Sequence, residues 1–138
     1  MLELTNVRKT FNKGTINEKK ALNGISLSLN DGDFVTVIGG NGAGKSTMLN
    51  MIAGVYPIDS GKIEIGGINI SRQPEHKRAK YIGRVFQDPM KGTAAGMEIQ
   101  ENMALAFRRG KRRGLGWGIR AKEKDYYRDM LTRLGLGL

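Results

Sequence analysis

The stretch VIGGNGAGKSTMLN, Val37 to Asn50, decides the reading of this chain. It packs four glycines into the six residues from Gly39 to Gly44, then a lysine and two hydroxyls. The run before it, Phe34 to Ile38, is β-branched and aromatic, as a short buried strand is. The run after it, Met48 to Ala53, is apolar at most positions and stops at Gly54, as a helix does. The glycines therefore fall in a strand-to-helix turn. Glycine lets a ligand approach the backbone closely. A helix start leaves its first N–H groups unpaired and partly positive, which suits an anion.

The spacing Gly39-x-x-x-x-Gly44-Lys45-Ser46 meets the P-loop pattern at every fixed position. In that pattern backbone N–H groups cradle phosphates, the lysine reaches the β and γ phosphates, and the hydroxyl holds Mg²⁺. The expected nucleotide contacts are Gly39, Gly40, Asn41, Gly42, Ala43, Gly44, Lys45, Ser46 and Thr47, with Ser46 on the metal. The plain alternative is a glycine-rich turn without a ligand. The motif specifies a nucleotide and leaves the reaction open.

Working outward, 138 residues with 39% apolar content suit one domain with one core. No apolar run approaches the ~20 residues of a membrane helix. The start, MLELTNVRKTF, lacks a signal-like apolar stretch, so a chain that is not secreted is expected. Zero cysteines exclude disulfides and thiolate metal sites, and the single histidine, His76, argues against a histidine-rich metal site. The net charge of +10 is uneven: residues 1–107 carry +3 and residues 108–138 carry +7. Such a local excess points to a partner or an anionic surface.

LELTNV (Leu2–Val7) and ISLSL (Ile25–Leu29) alternate as half-buried strands do. GKIEIGGINI has the pattern of a hairpin turning at Gly66-Gly67. PEHKRAKY predicts a short charged helix or turn starting at Pro74. IGRVF (Ile82–Phe86) is a second short strand candidate, ended by Gln87-Asp88-Pro89. MEIQENMALAF and AKEKDYYRDMLTRLGL predict helices, the second with Tyr126, Tyr127, Met130, Leu131 and Leu134 on or near one face. The expected class is α/β: a P-loop core with antiparallel strands over residues 1–90, then the beginning of a helical part over residues 91–138.

Three motifs in series give this chain a resemblance to the N-terminal half of the ATP-binding domain of ABC transporters. Phe11 in VRKTF sits where that family places an aromatic that stacks on adenine. Gly39 to Thr47 sits at its P-loop. Gln87 in RVFQDP matches its Q-loop, and the lead-in ALNGISLSLNDGDFVTVIG is also similar. The resemblance covers nearly the whole chain and is weakest from Arg108 to Arg120. It implies ATP and Mg²⁺ as cofactors, Lys45 and Gln87 as catalytic contributors, and Ser46 and Gln87 at the metal. It implies a second ATP-binding subunit and transmembrane permease subunits as partners, with indirect membrane association. Phe11 could instead be a core aromatic, and Gln87 a surface residue before a turn. Asp88 reads as a turn former, His76 as a solvated helix residue, and Tyr126 and Tyr127 as packing or surface residues.

The family also uses a signature loop like LSGGQ, a Walker B strand ending in aspartate and glutamate, and a later histidine. The 138 residues contain no SGG, no apolar run ending in Asp-Glu and no histidine beyond position 76. The fold is therefore expected to be incomplete, with Val35–Ile38 exposed at an edge, and the chain to be a fragment or a truncated product. Losing a general base typically costs about 10²–10⁴-fold, so slow or absent hydrolysis is expected.

RRGKRRGLGWGIR (Arg108–Arg120) combines six basic residues, four glycines and Trp117. It fits a solvated loop, a contact to lipid headgroups or a partner helix, or a nucleic-acid grip. With one aromatic in the run, no nucleic-acid partner is expected. Three functions are carried forward: the energising subunit of a membrane transporter, a soluble ABC-type ATPase on nucleic acid or ribosomes, and a non-enzymatic basic binding module. The family's cargo specificity lies in other subunits. The run from Asn69 to Leu115 looks like a bacterial group linked to uptake of amino acids or similar small solutes.

Overall fold

The computed structural model describes residues 1–111 and 118–135. Two compact units divide the chain, Met1–Ile82 and Gly83–Leu138.

The first unit is built on a four-stranded antiparallel sheet in the order β2-β1-β3-β4. β1 spans Leu2–Phe11 and β2 spans Lys19–Leu29. Both run past the segments whose alternation announces them. β3 (Ser60–Ile65) and β4 (Ile68–Asn69) form the expected hairpin. Its turn residues Gly66 and Gly67 have φ of 55° and 77°, the left-handed pair that a tight two-residue hairpin turn requires.

The register sets the core. Leu4 of β1 pairs with Leu27 of β2 and with Ile63 of β3. Leu4, Val7, Leu22, Ile63 and Ile70 are buried together with Met48 and Met51. The two methionines belong to α1, Lys45–Ala53, which thus covers the apolar sheet face. Gly54 closes α1 by donating its N–H to the carbonyls of Asn50 and Met51. α2 is one turn, Glu75–Arg78, entered at Pro74 as expected. His76 on it is exposed.

Two expectations fail. Neither Phe34–Ile38 nor Ile82–Phe86 is a strand. A strand exists by pairing with another strand, and among the described residues no strand of the sheet lies beside either run. The apolar side chains at the first remain in solvent, with Phe34 92% and Ile38 93% exposed. The exposed flank expected at Val35–Ile38 is present, since Val35 and Val37 are 49% and 43% exposed.

In the second unit Asp88 caps a 3₁₀ turn, Pro89–Lys91, its carboxylate accepting the Met90 N–H at 3.0 Å. This is the turn role read from sequence. α3 spans Ile99–Phe107 and α4 spans Ala121–Thr132. Arg108, after α3, donates through one nitrogen to both oxygens of Glu123 at 3.0 and 2.8 Å. Phe107 packs on Tyr127, with centroids 6.2 Å apart. Tyr127 is buried and Tyr126 is half exposed. Trp117 and the central part of the basic run lie outside the described residues.

Candidate functional site: a glycine loop beside an aromatic strand end

The loop from Gly39 to Gly44 meets α1 with no side chain capping the helix start and no acidic residue in its first turn. Four unpaired N–H groups and the positive end of the helix dipole are thereby kept for an anion. Gly44 is the N-cap, at φ 85°. A β-carbon there would stand 2.6 Å from the carbonyl oxygen of Ala21 and 2.8 Å from Leu22 Cδ2. Only glycine lets the loop lie this close to β2.

Lys45 is the first residue of α1, and its ammonium turns back along the loop. It donates to the carbonyl of Gly40 at 2.9 Å and to that of Gly39. Ser46 and Thr47 follow in the same turn, so one cation and two hydroxyls are presented beside the helix start.

A cleft of about 350 Å³ lies over this turn, within the range of small-ligand sites. Phe11, Lys19 and Ala21 form one wall and residues 41–47 the other. Phe11 is the last residue of β1, and its ring meets Tyr56 edge-on at 5.3 Å between centroids. Lys9 Nζ stands 5.5 Å from the same ring and bonds the Asp59 carboxylate at 3.0 Å. Burial pushes the Asp59 pKa up, but the Thr10 N–H at 2.6 Å and the Lys9 ammonium outweigh it and hold the carboxyl below its ordinary 3.8. The ring thus packs on Tyr56 and also lines the cleft.

The cleft brings together Phe11 and seven of the nine loop residues read from sequence: Asn41, Gly42, Ala43, Gly44, Lys45, Ser46 and Thr47. Gly39 and Gly40 take part through their carbonyls. Gln87 belongs to the second unit and is exposed. Sequence reasoning missed Lys19, because only the β1–β2 register places it opposite Phe11.

A strand-rich unit with a glycine loop feeding an uncapped helix is the core of a P-loop NTPase. The chain belongs to the ABC transporter family, whose model matches residues 22–138. It is 38% identical over 125 residues to a tyrosine transport ATP-binding protein of Clostridioides difficile, an alignment covering 91% of this chain and 50% of that one. It is 39% identical over 107 residues to the energy-coupling factor transporter ATP-binding protein EcfA1 of Mycoplasma mobile, covering 78% and 38% of the two chains. The solved dimeric ATP-binding cassette MJ0796, bound to ADP and Pi, superposes with a TM-score of 0.75 at 29% identity, covering 96% of this chain and 56% of that one. The chain therefore spans about half the length, or less, of these relatives. Among the described residues no helix is long and apolar enough to cross a membrane.

Proposed function

We propose that this chain is the nucleotide-binding part of an ATP-binding subunit that couples ATP binding and hydrolysis to solute transport across a membrane. The observation that carries the reading is the cleft in which Phe11 faces residues 41–47 over an uncapped helix start. Phe11 stacks on adenine, and the loop amides and Lys45 hold the phosphates. The uncapped helix start suits a phosphate group. Ser46 supplies a neutral oxygen suited to Mg²⁺, which would polarise the phosphates. Residues 1–90 carry the core and residues 91–138 open the helical part. The working assembly pairs two such subunits with transmembrane permease subunits on the cytoplasmic face. A tyrosine transporter among the relatives favours amino acids or similar small solutes as cargo.

The test is an equilibrium titration of the chain with fluorescent MgATP, beside Lys45→Ala. Saturable binding by the wild type, abolished or weakened at least tenfold in the variant, is expected. Equal binding by both proteins would overturn the assignment of the loop.

A further inference from the structure

The cleft holds a second lysine that the P-loop pattern does not include. Lys19 opens β2 and stands directly across from Phe11, the end of β1. Directly opposed residues in an antiparallel pair project to the same face. Phe11 and Lys19 therefore share the cleft wall, and Ala21, two residues on, shares it too. Lys19 Nζ lies 3.7 Å from the place of a β-carbon on Gly42, at the crest of the loop. Lys45 holds a different part of the loop, the carbonyls of Gly39 and Gly40. Among the described residues the acids that form ion pairs bond other cations, not Lys19.

We propose that Lys19 is a further nucleotide-binding residue, whose ammonium contacts the phosphate chain where it leaves the base-stacking ring for the loop. The inference rests on the nucleotide reading of the cleft. Its physical basis is charge. An ammonium only donates, and the groups beside it that bind a ligand are a π face and backbone amides. A polyphosphate is the part of a nucleotide that attracts the ammonium and the amides at once, and it carries the charge that an ammonium favours. Lys20, the next residue, alternates to the opposite sheet face and pairs with Thr10. It carries the same charge in nearly the same place in the chain, and it serves as an internal control.

The experiment measures affinity for MgATP, MgADP and adenosine in the wild type, Lys19→Gln and Lys20→Gln, each at two salt concentrations. Lys19→Gln is expected to weaken both nucleotides roughly threefold to tenfold, to leave adenosine unchanged, and to flatten the salt dependence. Lys20→Gln is expected to stay within about twofold of the wild type. Equal losses in the two variants would mean a general field effect and overturn the contact. So would an unchanged Lys19→Gln, or a loss that adenosine shares. If the wild type itself binds neither MgATP nor MgADP, the nucleotide reading falls, and this inference with it.

Discussion

Gly44 and Ala21 are in a contact that admits no side chain: a β-carbon on Gly44 would meet the Ala21 carbonyl oxygen at 2.6 Å. The loop that begins α1 is thereby seated on the sheet strand that also carries Lys19. Gly44→Ala adds this clash to the strain of φ 85° in a non-glycine residue. A loss of about 1–3 kcal/mol in unfolding free energy is expected, together with loss of MgATP binding. Urea unfolding and titration measure the two. A fully stable variant that still binds would contradict the account of the loop.

Arg78 is a buried cation held entirely by carbonyls. At 2% exposure, its guanidinium donates to Gln73 at 2.7 Å, to Met51 at 2.7 Å, to Ile52 at 3.0 Å and to Ser71 at 3.0 Å. Two of these carbonyls close the last turn of α1, where a cation also meets the negative end of the helix dipole. Burial lowers its pKa without threatening its charge at neutral pH. Arg78→Met leaves four carbonyls without this donor and should cost about 2–4 kcal/mol by chemical denaturation. Arg78→Lys should recover only part, because a point donor cannot span the same set. A loss below about 0.5 kcal/mol in Arg78→Met would contradict this role.

The Asp59 carboxyl titrates below its ordinary value, so its contribution has a definite sign with pH. Stability from its bonds to Lys9 and Thr10 is fully present above 3.8 and is lost as pH falls through the lower folded value. With 39% of the side chain exposed, screening limits the effect to about 1 kcal/mol or less. Asp59→Asn should therefore be less stable than the wild type at pH 7 and converge on it in acid. A difference that stays constant from pH 7 into that acid range would count against the ion pair.

How much of this was legible in the sequence follows from how local each feature is. The Gly66-Gly67 turn, the Gly54 cap, the Pro74 entry and the P-loop spacing are set by neighbouring residues, and the sequence announces them. The strand expected at Phe34–Ile38 depends on a partner strand, so its apolar run alone misleads. Lys19 needed a register between two strands to be placed beside Phe11. Arg78 gave no signal at all, because its acceptors come from residues 51, 52, 71 and 73.

The two walls of the cleft should separate by ligand. Phe11→Ala is expected to weaken MgATP by roughly threefold to tenfold, through loss of a stacking face worth about 0.5–1.5 kcal/mol beyond its area. Tripolyphosphate has no base, so its affinity should not change. Equal weakening of both ligands would show that Phe11 acts through packing on Tyr56 instead.

The most direct test of the cleft is nuclear magnetic resonance of the ¹⁵N-labelled chain titrated with MgATP. The account predicts that the amides of residues 41–47 shift most, with those of Phe11, Lys19 and Ala21 following. Shifts confined to residues 108–120, or none at saturating nucleotide, would contradict it and favour a basic binding module instead.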